Sequence, residues 1–238
     1  MLPPTRLMSA TTRLTRLNAR CISSAWTGTQ AAVPDAILGM TAAFVEDTAP
    51  NKVNVGQGLY RDDDGKPFVL ASVKEAEGRV AAALQNGSRN KEYLPIEGHA
   101  EFRRLTAKLV LGEHSPAIAE GRVATMQTIS GTGAVSVAAN ALRQIAGVDT
   151  IYVPDPSWSN HSQILAAAGL SVKMYPYLDP STGTTLDFDA LEHALRTSVP
   201  EGSTILLHAC AHNPTVHAAP AEGLSSISLS RSPLAVCY

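Results

Sequence analysis

The sequence predicts an α/β fold built from βαβ units around a parallel sheet. Between residues 122 and 215, short apolar runs typical of buried strands alternate with amphipathic runs typical of helices. Polar segments rich in Gly and Pro fall at the carboxyl ends of the predicted strands. Parallel sheets bind ligands in the loops at those ends, so the same pattern predicts where a functional site lies.

The part of the chain before residue 122 is predicted to contain helices and loops. Helix-spaced apolar residues predict helices over residues 35–47, 73–84 and 99–111. Residues 53–67 form an irregular segment, and Asp64-Gly65 near its end is a tight-turn signal. The polar stretch QNGSRNKEYLPIEG, residues 85–98, is predicted to be a loop.

The part from residue 122 onward is predicted to contain strands joined by helices. The predicted strands are residues 122–130, 150–158, 171–179 and 203–214. The predicted helices between them are residues 131–147, 161–170 and 186–199. Since each strand is followed by a helix and then by another strand, the strands are expected to run parallel.

The composition argues against several classes of function. The 238 residues are 45% hydrophobic and 17% charged, which is typical of a globular protein. A net charge of −2 gives no electrostatic reason to expect nucleic acid or membrane partners. Three cysteines favour a reducing compartment, and no CxxC or HExxH spacing indicates a metal site. No apolar run approaches the roughly 20 residues of a membrane-spanning helix.

The first 34 residues resemble a targeting segment in composition. They contain four arginines and no acid, and the first acidic residue is Asp35. Drawn as a helix, residues 6–21 place Leu7, Leu14 and Leu17 on one face, with the arginines on the adjoining arc. This pattern predicts a mitochondrial presequence over residues 1–23, and therefore a location in the matrix. The alternative is a disordered basic tail.

The segment ISGTGA, residues 129–134, indicates an anion site. A predicted strand ends there and a helix begins, so backbone N–H groups and the hydroxyls of Ser130 and Thr132 are available to a phosphate. A dinucleotide-binding oxidoreductase would need a third glycine where Ser136 stands, and a P-loop would need Gly-Lys-Ser/Thr. The alternative is a Gly-rich turn that only starts a helix.

Two further strand-end segments, PDPSWSNH (154–161) and HACAHNPT (208–215), offer groups that suit a planar ligand. Trp158 is suited to stacking, or else anchors its loop as a core residue. Asn213 precedes a proline, which holds it extended and leaves its amide available to a ligand. His208 and His212 are expected on a strand, where residues four apart do not point at one metal, so zinc is discounted.

Loop residues earlier in the chain supply weaker signals. Gly58 would allow a ligand to approach the backbone, and the hydroxyls of Tyr60 and Tyr93 would bind a phosphate. A turn glycine and packed tyrosines are the alternatives.

In this order, the blocks VNVGQGLYRDDDGKP, KEYLPIEGHAEF, QTISGTGA, PDPSWSNH and LLHACAHNPT resemble the signature blocks of the aspartate aminotransferase family. The resemblance runs from about residue 23 to Thr215 and covers roughly the first half of a family member. It implies a fold-type I pyridoxal-phosphate (PLP) enzyme with a three-layer αβα arrangement. It also implies a small-domain segment over 24–67 and a partial PLP-binding large domain over 68–215.

The resemblance implies a role for each matching residue. Ser130, Gly131 and Thr132 would hold the cofactor phosphate. Trp158 would stack on the pyridine ring, and Asn213 would bond its 3-oxygen. His161 and His208 would support the partner of the pyridine nitrogen. Tyr93 would reach the phosphate of the second subunit of a homodimer, while Gly58, Trp158 and Asn213 would face the amino acid or 2-oxo acid substrate.

One departure from the family pattern concerns the reacting group. The family's Schiff-base lysine follows the HNPT block, whereas the last of the six lysines here is Lys173. After Thr215 the family continues with glycine, whereas this chain has Val216. Residues 216–238 are therefore predicted not to be family sequence, and no catalytic residue is assigned. The chain alone is expected to be inactive and to expose apolar surface and a sheet edge.

Three functional interpretations remain at this point. The first is an aspartate aminotransferase, and its nearest variant is an aromatic or kynurenine-type aminotransferase. The second is a non-catalytic truncated isoform, or an artefact of the gene model, that at most pairs with a full-length subunit. The third is a nucleotide-binding oxidoreductase, which the missing glycine at Ser136 disfavours.

Overall fold

The computed structural model describes residues 27–30, 36–54, 56, 58–208, 210–217 and 235–237. These fall in two compact units, residues 1–91 and 92–238. The predicted presequence, residues 1–23, lies outside the described residues, as does most of the predicted tail. None of the helices in the described ranges is long and apolar enough to cross a membrane.

The first unit contains two helices and the irregular segment between them. Helix α1 spans Ala36–Glu46 and helix α2 spans Ala71–Gln85, which confirms both predicted helices. Between them, Arg61 and Pro67 pair in an isolated antiparallel bridge across a turn at Gly65. Gly65 has a φ of +75°, a conformation that glycine adopts without steric cost, as the Asp-Gly signal predicts.

The second unit is a parallel sheet with flanking helices. In chain order its helices are α3 (Ala100–Leu111), α4 (Pro116–Ala119), α5 (Ser130–Gln144), α6 (Ser159–Ala167) and α7 (Phe188–Thr197). Its strands are β1 (Thr150–Asp155), β2 (Ser171–Pro176), β3 (Thr204–Leu207) and β4 (Ala235–Cys237). The strand order is β2-β1-β3-β4, and every pair is parallel.

The core consists of two clusters on opposite faces of this sheet. Successive side chains of β1 alternate between the faces, as in any strand. Ile151 and Val153 pack with residues of α5 and α6, including Leu142 and Leu165. Tyr152 packs on the other face with Leu191 of α7. This arrangement confirms the predicted three layers, and each buried aliphatic side chain contributes roughly 1.5–3 kcal/mol.

The first predicted strand is wrong. Residues 122–129 form no strand, and the segment leads directly into α5 at Ser130. A strand needs a neighbour to complete its ladder of hydrogen bonds, and none runs beside this segment in the described part of the chain. Its backbone contact is with a loop instead, where the N–H of Gln127 donates to the carbonyl of Glu97 (2.9 Å).

The three remaining predicted strands are all shorter than the sequence pattern suggested. β2 ends at Pro176 instead of residue 179. β1 ends at Asp155 because Pro156 and the residues after it form a loop, so Trp158 is not on the strand. β3 ends at Leu207, and the chain turns at His208. The loops after β1 and β3 therefore begin earlier than predicted, and each carries more of the predicted site residues than expected.

Candidate active site

The candidate site lies at the carboxyl edge of the sheet, where the loops after β1 and β3 meet. β1 and β3 are adjacent and parallel, with Ile151 opposite Thr204 and Tyr152 opposite Ile205. Their carboxyl ends consequently open at one edge. The loop after β1 carries Trp158, and His161 follows it in the first turn of α6. The loop after β3 carries His208, His212, Asn213 and Thr215.

His208 holds the loop that carries Asn213. The backbone N–H of Asn213 donates to Nδ1 of His208 at 3.1 Å. Because Nδ1 accepts this bond, it carries no proton, and the neutral ring has its hydrogen on Nε2. His208 is buried and Asn213 half-buried, so part of Asn213 is accessible to a ligand.

His161 connects the two loops. Its Nδ1 lies 2.9 Å from the hydroxyl of Ser157, and this contact fixes the ring against the loop that follows β1. The Trp158 ring stands edge-on to it at 5.1 Å, and the His208 ring does the same at 5.2 Å. Three of the residues that the sequence analysis selected, Trp158, His161 and His208, are thus in direct ring contact.

His212 is a further member of this cluster that the sequence analysis did not assign. Its ring stacks on Tyr177 at 3.9 Å and lies 4.2 Å from the ring of His208. Its Nδ1 bonds the hydroxyl of Thr215 (2.9 Å). The side chain is 1% exposed, and its Nε2 has no hydrogen-bond partner among the described residues.

The spacing of His208 and His212 was misread because they were expected on a strand. The chain turns after Leu207, and this turn brings the two rings together. The described residues contain no group of three or more His, Cys, Asp and Glu side chains that could hold a metal ion. The motif HxxxHNP at the end of a predicted strand could have indicated that the rings of His208 and His212 lie together.

Burial keeps these three imidazoles neutral. It lowers the pKa of His161 to about 4, and the nearby His208 lowers it further in the same direction. The pKa of His212 also falls to about 4, through burial first and then through His208 and His161. Burial alone lowers the pKa of His208. Charging one ring would cost desolvation energy and repel its neighbours, so all three act as hydrogen-bonding groups at neutral pH.

The amino end of α5 supplies an exposed, electropositive turn. Ser130, Gly131 and Thr132 are all exposed, and no acidic side chain lies in the first turn. The first N–H groups of a helix have no partner within it and bear partial positive charge. α5 packs against β1, and a short connection joins the carboxyl end of α5 to the amino end of β1. The amino end of α5 therefore lies at the carboxyl edge of the sheet, as the two loops do.

Two further predicted site residues, Gly58 and Tyr93, lie in different units of the chain. Gly58 belongs to the first unit and is exposed, and a Cβ added to it would meet nothing within 4 Å. Tyr93 begins the second unit, and its side chain is 96% exposed. The role of each, against substrate and across a dimer respectively, remains a prediction.

Comparison with known proteins decides the family. The family model "Aminotransferase class I and II" matches residues 50–233. This chain belongs to that family. Aspartate aminotransferases are among its relatives: the mitochondrial protein of Gallus gallus is 46% identical over 211 residues, which are 88% of this chain and 48% of that protein. The cytoplasmic protein of Oryza sativa is 49% identical over 193 residues, which are 81% of this chain and 46% of that protein.

Solved aminotransferases share the fold. The aspartate aminotransferase of Saccharomyces cerevisiae cytoplasm matches with a TM-score of 0.78 and 35% identity, covering 89% of this chain and 51% of its own. An aromatic-amino-acid aminotransferase from Burkholderia pseudomallei, covalently bound to pyridoxal phosphate, matches with a TM-score of 0.76 and 38% identity, covering 89% and 52%. The chain is therefore a partial fold-type I aminotransferase and spans about half the length of its relatives.

The aminotransferase match also bears on the ends of the chain. It continues past Thr215 to residue 233, and β4 joins the sheet beside β3 with Leu207 opposite Cys237. The boundary between family sequence and tail at Thr215 remains a prediction. The relatives include mitochondrial and cytoplasmic proteins, so the family alone does not assign a compartment.

The described residues fit the PLP that this family uses. The first turn of α5 is open and lacks acids, which suits a phosphate dianion. Trp158 is half-buried, so a face of its ring is available to a flat ligand. Asn213 has an amide suited to a phenolate oxygen and a backbone already fixed by His208.

Proposed function

We propose that the cluster at the carboxyl edge is the phosphate- and ring-binding part of the PLP site of an aspartate aminotransferase. The whole enzyme would exchange the amino group of L-aspartate with 2-oxoglutarate. The observation that carries this proposal is the bond from the Asn213 N–H to His208, which fixes an amide-bearing loop beside the Trp158–His161 pair. The curated relatives named above, both aspartate aminotransferases, favour aspartate over aromatic substrates.

Each residue has a defined task in this proposal. The N–H groups of Gly131 and Thr132 and the hydroxyl of Ser130 bind the phosphate, aided by the helix dipole. Trp158 covers one face of the pyridine ring. The Asn213 amide donates to the ring's 3-oxygen and so stabilises its anionic form. When bound, the cofactor supplies an electron sink for the amino acid's α-carbon.

The buried histidines have a positioning task. His161 orients Trp158 and contacts His208, while His208 holds Asn213 through Nδ1. Because burial lowers the pKa of both rings, they retain acceptor nitrogens at neutral pH. We therefore assign His161 and His208 to the support of the ring site rather than to proton transfer with the substrate.

The remaining parts of the proposal concern partners and location. A homodimer in which Tyr93 reaches the second subunit's phosphate agrees with the exposure of that ring. Gly58 is assigned to the carboxylate of the amino acid or 2-oxo acid substrate. The four arginines and the lack of acids in residues 1–34 favour the mitochondrial matrix.

The 238 residues by themselves are proposed to bind PLP without reacting with it. No lysine follows Lys173, and neither Lys173 nor any earlier lysine occupies the family's position after the HNPT block. We expect no transamination by these residues alone and no borohydride-trapped adduct. A trapped adduct on one of the six lysines would contradict this part of the proposal.

Tryptophan fluorescence tests the cofactor site directly. The chain has two tryptophans, Trp26 and Trp158, and a ring stacked on Trp158 should quench its emission. Titration with PLP should give saturable quenching, and Trp158→Phe should remove it while Trp26 remains as internal reference. Pyridoxal without phosphate should bind at least tenfold more weakly, a difference of about 1.4 kcal/mol. Equal affinity for the two compounds would contradict the phosphate assignment.

A further inference from the structure

Tyr177 directly follows β2, and its backbone is held on both sides. Its N–H donates to the carbonyl of Asp155 at the end of β1 (3.2 Å), and its carbonyl accepts from the N–H of Asp187 (3.0 Å). The side chain of Asp187 in turn accepts from the N–H of Ala190 and so caps α7. Tyr177 is 3% exposed. This tyrosine is therefore a firmly held group at the carboxyl edge of the sheet.

The side chain of Tyr177 contacts the loop after β3 at two places. Its hydroxyl donates to the carbonyl of His217 at 2.9 Å. Its ring stacks on the ring of His212, with 3.9 Å between the ring centroids. Because β1 lies between β2 and β3, these contacts connect segments whose strands are not neighbours in the sheet. They fix the loop after β3 from outside its own strand.

His212 extends the effect of these contacts to Asn213, which it precedes directly in the chain. The carbonyl of His212 accepts from the N–H of Val216 at 2.6 Å. Its Nδ1 bonds the hydroxyl of Thr215 at 2.9 Å. His212 thus closes the turn that contains Asn213. Since the two residues that Tyr177 contacts stand on either side of Asn213, both ends of this turn are restricted.

We infer that Tyr177 is a positioning residue for Asn213 and acts through these two contacts. His208 holds the backbone of Asn213 itself, and Tyr177 holds the chain before and after it. The consequence for the cofactor rests on the proposed function. A side-chain amide must meet an acceptor within narrow limits of distance and angle. With its turn held at both ends, Asn213 presents its amide to the 3-oxygen of the ring without a large loss of conformational freedom on binding.

Tyr177→Phe and Tyr175→Phe form a matched pair of variants. Each removes one hydroxyl from a buried tyrosine of the same core cluster, and each of these hydroxyls donates to a backbone carbonyl. The Tyr175 hydroxyl bonds Leu206 at 2.8 Å, within β3, whereas the Tyr177 hydroxyl bonds His217 in the loop. The two changes should therefore cost similar stability in urea unfolding. Only Tyr177→Phe should loosen the loop that carries Asn213.

Amide hydrogen exchange of the 238-residue chain measures this loosening without any cofactor. We expect Tyr177→Phe to raise the exchange rate of the Asn213 N–H about fivefold over the parent chain, which corresponds to the net loss of one hydrogen bond. Tyr175→Phe should leave this rate within about twofold of the parent value. The N–H of Val153 in β1 is the reference and should exchange alike in both variants. A rate at Asn213 that is no higher in Tyr177→Phe than in Tyr175→Phe would overturn the inference.

Quenching of Trp158 by PLP tests the consequence for the cofactor. Tyr177→Phe should weaken PLP binding about threefold, because the amide is then ordered only on binding. In an Asn213→Ala background the same change should have no effect, since no amide remains to be positioned. An equal loss in both backgrounds would show that Tyr177 does not act through Asn213. A parent chain whose emission PLP does not quench would contradict the proposed function, while the exchange rates would still decide whether Tyr177 holds the loop.

Discussion

The Nδ1 atom of His208 accepts a hydrogen bond from the backbone N–H of Asn213 at 3.1 Å. This bond joins the residue immediately after β3 to the residue proposed to contact the cofactor ring. It also requires a neutral imidazole, because a protonated Nδ1 has no lone pair to offer.

Two replacements of His208 should distinguish the effect of its hydrogen-bond acceptor from the effect of its size. His208→Leu leaves the Asn213 N–H without a partner and should cost about 1–3 kcal/mol of unfolding free energy. His208→Asn places a carbonyl oxygen near the former Nδ1 and should recover much of this loss. Urea unfolding measures the stability, and quenching of Trp158 by PLP measures the affinity. Equal affinity for PLP in the Leu and Asn variants would show that the bond does not position Asn213.

The buried histidines should make the second unit sensitive to acid. The pKa values of His161 and His212 are about 4 in the folded chain and near 6.5 when unfolded, so the unfolded chain binds more protons between these values. Stability is then full above pH 6.5 and is lost as the pH falls toward 4. His161 alone accounts for up to about 3 kcal/mol.

Urea unfolding at pH 7.5, 6.5, 5.5 and 4.5 checks this dependence. The groups packed around the cluster are the rings of Trp158 and Tyr177 and the hydroxyls of Ser157 and Thr215. His161→Asn should flatten the curve over this range, since it removes one of the titrating rings. A parent and a variant with identical pH slopes would show that His161 is not the group responsible.

Val216→Gly should stabilise the loop after β3. Val216 has a φ of +65°, which a β-branched residue adopts at a cost of roughly 1–2 kcal/mol. Its side chain is 74% exposed, so little packing is lost on removing it. Allowing for the greater freedom of glycine in the unfolded chain, we expect a gain of about 0.5–1 kcal/mol. A lower thermal midpoint for Val216→Gly would contradict this account.

Gly98→Ala should destabilise the second unit more than Gly112→Ala. Both glycines have positive φ, +94° and +87°. A Cβ on Gly98 would overlap the Cβ of Gln127 and disturb the bond from the His99 N–H to the Gln127 side chain, whereas a Cβ on Gly112 would meet nothing within 4 Å. We expect losses of roughly 2–4 and 1 kcal/mol, measured by urea unfolding. Equal losses of unfolding free energy in the two variants would mean that the Gln127 side chain moves away from residue 98 without an energetic cost.

Much of the fold was predictable because local pattern and tertiary packing agree. The alternation of β1, with Ile151 and Val153 on one face and Tyr152 on the other, is visible in the sequence and matches the two core clusters. Residues 122–129 show the limit of such patterns. They are apolar enough for a strand, but a strand also requires a neighbour, which one sequence cannot reveal.

The candidate site was predictable where a short motif carries the chemistry. The sequence motifs at the ends of two predicted strands contain Trp158, His161 and His208, and the structure brings their rings into contact. His212 was missed because its place depends on where β3 ends, and its contact with Tyr177 joins the segments that follow β3 and β2. The exposure of α3, none of whose residues is buried, was not predictable, because helix-spaced apolar residues normally pack against a core.

The arrangement of the sheet also has a consequence for synthesis of the chain. Both core clusters draw their buried residues from Ala139 to Leu206, and β1 pairs with β2 and β3 from the same stretch. Most of the residues that bury these side chains have therefore been translated once Leu207 has been added, although the His212 ring that stacks on Tyr177 follows it. The nascent chain can close this core while later sequence is still being made, so the sheet is available as a template for whatever follows it.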